Sequence, residues 1–174
     1  MLVWCPPGSF MMGSPASEEG RSNNEALHKV TLTKGFWMGQ YEVTQAQWQQ
    51  VMGNNPSRFK GDGHLPVEQV SWLDCQKFLT KLNALIKARD LSPGCVFRLP
   101  TEAEWEYACR AGTASALHNN EELSSTTGFC HHLAEIGWYD ENSGSRTHPA
   151  GGKMPNSISV TLKSLNPGKA TTVK

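Results

Sequence analysis

Short alternating runs of apolar and polar residues predict β-strands in the first quarter of the chain. Residues 2–13 favour two strands separated by the Pro6-Pro7-Gly8 turn, and residues 28–33 favour a third strand. Gly35 interrupts the pattern before an aromatic-rich strand at residues 36–43, so the third and fourth strands are predicted to form a hairpin. The polar residues 14–25 predict a surface loop.

Three later segments repeat apolar residues at three- and four-residue spacing, which predicts amphipathic α-helices. Each follows a capping-box pattern, in which a hydroxyl residue stands three positions before a side chain that can return its hydrogen bond. The pairs are Thr44 with Gln47, Ser71 with Asp74, and Thr101 with Glu104. The helices are predicted to end at Gly53, near Arg89 and at Gly112.

The second helix carries the clearest apolar stripe of the chain. Its members step by three and four, with two further residues widening the stripe: Trp72, Cys75, Leu79, Leu82, Ile86, and then Phe78 and Leu85. The same kind of position predicts buried free thiols at Cys75 and Cys109. Four tryptophans on element faces are expected in the core rather than in a ligand cage, namely Trp37, Trp48, Trp72 and Trp105.

The stretch FRLPTEAEWEYACRAG, at residues 97–112, combines a short strand, a turn and the third helix. Phe97 and Leu99 alternate with a polar residue, and Pro100 ends the predicted strand. The helix is expected to present Trp105 to the core. Three glutamates in its first turns favour a solvated face that compensates the helix dipole, with a catalytic carboxylate as the less favoured alternative. They are Glu102, Glu104 and Glu106.

Beyond Gly112 the chain is mostly polar, and residues 113–130 and 140–152 predict long loops. Between them, residues 131–139 hold apolar side chains that predict a patch packed on the core: Leu133, Ile136, Trp138 and Tyr139. Residues 158–174 contain no aromatic residue. The whole pattern predicts an α+β domain with short helices, short antiparallel strands and long loops, and loops of this length indicate function or ligand contact.

Length and composition narrow the class of protein. The 174 residues suit one domain, and 38% hydrophobic with 18% charged residues is typical of a globular chain. A formal net charge of zero argues against a nucleic-acid-binding or a charged membrane-surface protein. We expect a soluble chain of unknown localisation, because the sequence has neither a membrane-spanning apolar run nor a secretory signal. The opening LVWCPPGSFMMGS is typical of the inside of a domain, which suggests a processed or clipped amino end.

Residues for metal binding or nucleophilic catalysis are sparse. The five cysteines form no C-x-x-C pair, so they are weak evidence for a zinc site. Their odd number leaves a disulfide framework incomplete. The run Cys130-His131-His132 lacks a further ligand at a suitable spacing, so a surface histidine pair is favoured over a metal site. A serine, histidine and aspartate triad has no nucleophile-elbow pattern to support it. Its members would be Ser71, His64 and Asp74.

Residues 98–112 carry a resemblance to a known family. They read R-L-P-T-E-A-E-W-E-Y-A-C-R-A-G, which resembles the signature of the formylglycine-generating enzyme family, also called the sulfatase-modifying-factor domain. Shorter similar segments occur in order along the chain, from about residue 3 to residue 157: P-G-S-F with M-G at 7–13, E-V-T at 42–44, P-V and V-S-W within 66–72, W-Y with N-S within 138–143, H-P at 148–149 and P-N at 155–156. The signature residues are expected to have structural roles: Arg98, Pro100, Thr101, Glu102, Glu104 and Trp105.

The resemblance implies a C-type-lectin-like fold. It also implies, for catalytic members, oxidation of a sulfatase cysteine to formylglycine with molecular oxygen and copper held by two cysteines. Other members bind ligands. The family's calcium sites imply a calcium ligand at Asn142, where Asp140 and Glu141 add hard oxygen ligands; a solvated polar loop is the alternative.

The sequence departs from the family pattern near its end. Residues 158–174 read ISVTLKSLNPGKATTVK, in place of the glycine- and tryptophan-rich motifs that contain the copper-binding cysteines. We therefore expect residues 1–157 to form the amino-terminal part of the domain and residues 158–174 a divergent polar tail, whether native, frame-disrupted or clipped. The expected chain is incomplete and non-catalytic, with a sulfatase-like protein or a missing carboxyl-terminal half as partner. The alternative is a lectin-like module that binds a ligand or protein through residues 113–152.

Overall fold

A computed structural model of the chain describes residues 1–18, 20–91 and 94–161. The described residues divide into two compact units, the first within 1–41, 100–146 and 151–161, the second within 42–99 and 147–150. The described part contains four strands, β1 Leu2–Cys5, β2 Gly8–Met12, β3 His28–Leu32 and β4 Phe36–Gly39. It contains four helices, α1 Gln45–Met52, α2 Trp72–Ala88, α3 Glu102–Arg110 and α4 His131–Ile136.

The four strands of the first unit form two antiparallel ladders. β1 pairs with β4, and β2 pairs with β3, so the predicted hairpin of β3 and β4 is wrong although all four strands are confirmed. The two ladders are consecutive, because both pair residues 2–12 with residues 28–39. Cys5 at the end of β1 lies opposite Phe36, and Gly8 at the start of β2 lies opposite Leu32. Pro6 and Pro7 separate them, since a proline has no N–H to donate to a ladder.

The core cluster of the first unit is built around α4. Its buried members are Leu117, Cys130, Leu133, Ile136 and Tyr139. The predicted packing of residues 131–139 is therefore confirmed, although the sequence pattern did not identify α4 as a helix. The Tyr139 hydroxyl accepts a hydrogen bond from the Cys130 N–H at 2.6 Å and donates one to the Cys130 carbonyl oxygen at 3.1 Å.

Helix α3 begins at the predicted capping box. The Thr101 hydroxyl accepts a hydrogen bond from the Glu104 N–H, and the Glu104 carboxylate accepts one from the Thr101 N–H. The prediction that Trp105 faces the core is wrong, because its side chain is 41% exposed. The helix is buried through the small side chain of Ala108 instead, and the ring of Tyr107 lies edge-on to Phe10 at 5.4 Å.

Helices α1 and α2 belong to the second unit and contact each other, and both begin at their predicted capping boxes. The rings of Trp48 and Phe78 stack at a centroid distance of 5.0 Å and an interplanar angle of 5°. Trp48 is buried as predicted, but Trp72 is 53% exposed, so the prediction of a core position for Trp72 is wrong. Trp72 is the first residue of its helix, and the α1 contact is made further along by Phe78.

Residues 97–99 do not form the predicted strand, although Phe97 and Leu99 are half-buried and Arg98 is exposed, as alternation requires. The Asn83 side chain supplies the hydrogen bonds that a neighbouring strand would make. It donates to the Phe97 carbonyl oxygen and accepts from the Phe97 N–H, both at 2.8 Å. Residues 92 and 93, and residues 162–174 of the predicted tail, lie outside the described residues. None of the helices found in the described ranges has the length and apolar character needed to cross a membrane.

Candidate functional site

Two charged residues on one face of α3 hold the end of β2 in the first unit. The Gly13 N–H donates to Glu106 Oε1 at 2.9 Å, and Arg110 Nη2 donates to the Gly13 carbonyl oxygen at 2.7 Å. Arg110 Nε closes the arrangement with a 2.8 Å contact to the same Glu106 oxygen. The prediction that all three glutamates of this helix are solvated is wrong for Glu106, because its carboxylate is mostly buried by these contacts. The signal in the sequence was the i, i+4 spacing of Glu106 and Arg110.

Polar contacts continue from the Glu106 and Arg110 pair, which we call the clamp on Gly13, into the loop of residues 14–25. The buried Ser14 hydroxyl donates to Glu25 Oε2 at 2.9 Å, and Arg21 donates to both Ser14 and the Glu25 carbonyl oxygen. Burial raises the pKa of Glu18; Arg110 and Arg21 oppose this rise, while Glu122 and Glu25 add to it. A carboxyl group with a raised pKa suits proton transfer better than an ordinary one. Composition and spacing gave no sign of Glu18.

The other signature residues lie just before helix α3 and in its first turns. Arg98 is exposed and donates from Nη1 to the Leu99 carbonyl oxygen at 3.0 Å. Pro100 is half-buried ahead of the α3 cap, and the helix's Glu102 and Trp105 are exposed. Their structural role stays a prediction, since these contacts describe position and not function.

The Asn142 amide closes a turn next to the core cluster. Its Oδ1 accepts a hydrogen bond from the Tyr139 N–H at 2.8 Å, and its Nδ2 donates to the Gly137 carbonyl oxygen at 3.0 Å. Calcium requires six to eight oxygen ligands. The side-chain oxygen of Asn142 is directed at the Tyr139 N–H, so the turn that it closes gives no sign of a calcium site. Calcium at Asn142 stays a prediction, with no geometry to support it.

Asn156, in the family's P-N segment, caps the end of α3. Its Nδ2 donates to the carbonyl oxygens of Ala108 at 2.7 Å and Cys109 at 3.1 Å, which are among the last carbonyls of the helix. Its Oδ1 accepts from the Val160 N–H at 2.9 Å. Val160 and Thr161 are both buried, so tight packing extends beyond the family-like boundary predicted at residue 157.

The Cys130-His131-His132 run lies at the start of α4, and each residue has its own contacts. His131 lies edge-on to Phe129, and His132 Nδ1 lies 2.9 Å from the Glu122 carbonyl oxygen. Burial opposes ionisation of Cys130, yet hydrogen bonds from the Ser124 hydroxyl and from backbone groups hold the pKa of its thiol below the usual value. Across the described ranges, no three His, Cys, Asp or Glu residues are placed to hold a metal ion.

The serine, histidine and aspartate of the unsupported triad do not form a relay. The Ser71 hydroxyl donates directly to Asp74 Oδ2 at 2.6 Å, and Asp74 also accepts from the Ser71 N–H. The His64 carbonyl oxygen accepts a hydrogen bond from the Ala150 N–H, and the His64 N–H donates to Asp62 Oδ1. Ser71 and Asp74 therefore cap α2, as their spacing predicts.

The cysteines of the chain lie in surroundings that differ in burial and in neighbouring charge. Burial, with Glu106 and Cys5 adding to it and Arg110 opposing it, raises the pKa of Cys109 to about 12. Burial and Glu104 also raise the pKa of Cys5. Burial therefore makes the thiolate form of both residues costly in the metal-free chain. Cys109 is only half-buried, as is Cys75, so the prediction of buried thiols holds in part; Cys95 is exposed.

The outer face of the β1–β4 ladder exposes two tryptophans. Trp4 and Trp37 are direct cross-strand partners, and their rings lie 5.3 Å apart at an interplanar angle of 56°. Their side chains are 47% and 61% exposed, so the prediction that Trp37 lies in the core is wrong. Alternation explains the error, because the other face of the same ladder carries the half-buried or buried Val3, Cys5 and Phe36.

Comparison with known proteins identifies relatives in sequence. The family described as the sulfatase-modifying factor enzyme 1-like domain matches residues 1–161. The chain is 34% identical over 146 residues to chaperone protein LppX of Paenibacillus barcinonensis, an alignment that covers 67% of this chain and 48% of that protein. It is 30% identical over 109 residues to formylglycine-generating enzyme of Mus musculus, covering 63% of this chain and 24% of the enzyme. The chain thus spans half or less of these curated relatives.

Solved structures share the fold. Treponema denticola variable protein 1 superposes with a TM-score of 0.75 and 29% identity, over 92% of this chain and 68% of that one. PvdO from Pseudomonas aeruginosa superposes with a TM-score of 0.72 and 26% identity, over 92% of this chain and 65% of that one. The predicted α+β, C-type-lectin-like fold is confirmed. From the sequence match and the shared fold together, the chain belongs to the sulfatase-modifying factor, or formylglycine-generating enzyme, family.

Proposed function

We propose that this chain is a non-catalytic member of its family, with residues 1–157 as the amino-terminal part of the domain and residues 158–174 as a divergent tail. The state of the thiols carries the proposal. Cys5 and Cys109 have raised pKa values, Cys130 is fully buried, and Cys95 is exposed. A pair of accessible thiolates is what copper and oxygen chemistry requires.

An activity assay tests this proposal. The purified chain is incubated with copper, oxygen and a Cys-x-Pro-x-Arg peptide, and the peptide is analysed by mass spectrometry for the aldehyde. Formylglycine-generating enzyme of Mus musculus serves as the positive control. We expect no aldehyde above the level that heat-denatured chain gives. Repeated turnover that is lost in Cys109→Ser would overturn the proposal.

A polypeptide-binding module is the second candidate function. The exposed Trp4 and Trp37 pair favours it, because contiguous apolar surface with aromatic residues is typical of protein interaction sites. A sulfatase-like protein and a missing carboxyl-terminal half are the two proposed partners. The loops of residues 113–152 are the competing location for such binding. Saturable binding abolished by changes in those loops, but unaffected by changes at Trp4 and Trp37, would place the site in the loops.

A further inference from the structure

We propose that the turn of residues 117–121, here called the latch, is attached to helix α4 while His118 is neutral and detaches from it when His118 is protonated. The latch lies between α3 and α4, and both the latch and α4 belong to the first unit. Its release uncovers Leu117, a buried member of the core cluster. The inference goes beyond the proposed function and does not depend on whether the chain is catalytic.

Apolar and polar contacts attach the latch to α4. Leu117 packs in the core cluster that is built around this helix, and its side chain is only 4% exposed. Asn119 Nδ2 donates to the His132 carbonyl oxygen at 3.4 Å and to Glu135 Oε2 at 3.2 Å. Just beyond the latch, His132 Nδ1 lies 2.9 Å from the Glu122 carbonyl oxygen. Detachment of the latch therefore breaks a small set of contacts with one helix.

The attached latch buries polar atoms that have no partner among the described residues. His118 is only 8% exposed, and neither of its ring nitrogens makes a hydrogen bond there. The neighbouring Asn119 Oδ1 is buried in the same way. Burial of polar atoms without partners is unfavourable, so the latch is held less firmly than its apolar contact alone would hold it. Weakly held segments of this kind open locally, without unfolding of the rest of the chain.

Protonation of His118 makes the attached state less favourable still. A neutral imidazole has one N–H donor, whereas the protonated ring has two donors and a positive charge to bury. Burial lowers the pKa of His118, and the Met154 backbone opposes this shift to a smaller extent. The proton is therefore bound more readily when the latch is released. The contribution of His118 to attachment is complete above the ordinary value of about 6.5 and is lost as pH falls through the lower pKa of the attached state.

Other charged and titratable side chains lie on the segments that pack around the latch, on its own loop, on α4 and beside Met154. They are Glu121, Glu122, His131, His132, Glu135 and Lys153. Asn119 contacts the Glu135 carboxylate, and Lys153 Nζ donates to the Ala134 carbonyl oxygen. His132 acts in the opposite sense to His118, because its bond to the Glu122 carbonyl raises its pKa and is strengthened by protonation. Acid therefore holds the loop at Glu122 while it releases the latch.

Amide hydrogen exchange of the full chain, followed by NMR at about pH 7.5 and about pH 5.5, tests the inference. The reporters are the Leu117 N–H, which donates to the Glu121 carbonyl oxygen at 3.1 Å, and the Asn120 N–H, which donates to the Leu117 carbonyl oxygen at 3.2 Å. Each rate is divided by the intrinsic chemical rate at the same pH. We expect protection of both amides to fall about three- to tenfold at the lower pH. About tenfold is the limit, because this pH lies about one unit below the ordinary histidine value.

Matched variants assign the effect to one histidine. His118→Gln, and His118→Phe with its ring that cannot be protonated, should remove the acid response of both reporters. His132→Gln is the control, because it removes the other histidine that contacts this loop, and it should keep the response. A response that persists in His118→Gln and disappears in His132→Gln would overturn the inference.

The unsubstituted chain gives a result of its own, even if the His118 variants fail to fold. Amides of α1 and of the β1–β4 ladder report opening of the rest of the chain, and we expect their protection to change less than about twofold. Unchanged protection of the two latch amides at about pH 5.5 would overturn the inference. An equal loss at α1 and at the ladder would also overturn it, because the whole chain and not the latch would then be opening.

Discussion

Arg110 and Gly13 are joined by a 2.7 Å hydrogen bond although 97 residues separate them in the chain. The guanidinium also holds Glu106, which accepts the Gly13 N–H, so one i, i+4 pair satisfies both backbone groups of a single residue. Gly13 has φ of +90°, and a Cβ there would lie 2.6 Å from the Ala26 carbonyl oxygen. Two separate family motifs, M-G and the α3 signature, are therefore parts of one contact.

Glu106→Ala should destabilise the chain by about 2–4 kcal/mol, because it leaves the Gly13 N–H and the mostly buried Arg110 without their shared acceptor. Glu106→Gln should cost less, since its amide oxygen can still accept one bond. Urea unfolding followed by far-ultraviolet circular dichroism measures both. The matched control is Glu102→Ala in the exposed first turn, expected within about 0.5 kcal/mol of wild type. Equal losses at Glu102 and Glu106 would contradict the clamp.

The starts of α1, α2 and α3 were predictable from sequence because their causes are local. Thr44, Ser71 and Thr101 each cap a helix with a partner three residues away, and no distant part of the chain is needed to identify it. The strand positions were predictable for the same reason, since alternation is a property of a few consecutive residues.

The errors concern which distant segment each element contacts. Alternation located β3 and β4 correctly but did not show that β1 and β2 are their partners. Phe97 has the pattern of a strand residue, yet the Asn83 side chain takes the place of a strand. Trp105 lies on a helix whose buried contact is made by the smaller Ala108. Side-chain type predicts burial on average, but tertiary contacts decide which residue is covered.

Tyr139→Phe should destabilise the first unit by about 1–3 kcal/mol, since the Cys130 N–H and carbonyl oxygen both lose a partner inside the core. The volume of the ring hardly changes, so a cavity is not the cause. Thermal unfolding followed by near-ultraviolet circular dichroism measures the loss. Tyr41→Phe is the matched control at an exposed tyrosine, and we expect its effect to be small. A Tyr139→Phe variant as stable as wild type would show that water replaces the hydroxyl without cost.

The pKa of His118 should lie below the ordinary histidine value, and the pKa of His132 should lie above it. Burial lowers the pKa of His118, against an opposing contribution from the Met154 backbone. The hydrogen bond to the Glu122 carbonyl, with Glu121 and other neighbours, raises the pKa of His132. Because the fold disfavours protonated His118, this residue's contribution to stability is lost as pH falls below about 6.5 and through its lower folded pKa.

The pH dependence of stability has the opposite sign for His132, because the fold favours its protonated form. The contribution of His132 to stability is therefore lost as pH rises through its folded pKa. Two-dimensional NMR of the imidazole ring protons measures both titrations. The His118→Gln variant should lose less stability than wild type between about pH 6.5 and pH 5. If His118 titrates above His132, the packing assigned to His118 is wrong.

The thiols should differ strongly in their rates of alkylation by iodoacetamide at about pH 8. Cys95 is exposed and should react first. Cys109, with a pKa of about 12, should react far more slowly, because a thiol with that pKa has a thiolate fraction of only about 10⁻⁴ at this pH. Cys5 is fully buried and also has a raised pKa, so it should be protected as well. Isotope-labelled reagent and peptide mass spectrometry give the rate at each cysteine.

Urea provides the control, because unfolding should bring all five cysteines to similar rates. Cys130 separates the effect of pKa from the effect of access: the pKa of its thiol is lowered, but the side chain is fully buried. It should therefore react slowly in the folded chain, through opening of the core cluster, and its rate should rise in Tyr139→Phe. Fast reaction of Cys109 in the folded chain would mean that a thiolate is available there, which would remove the main support for the non-catalytic proposal.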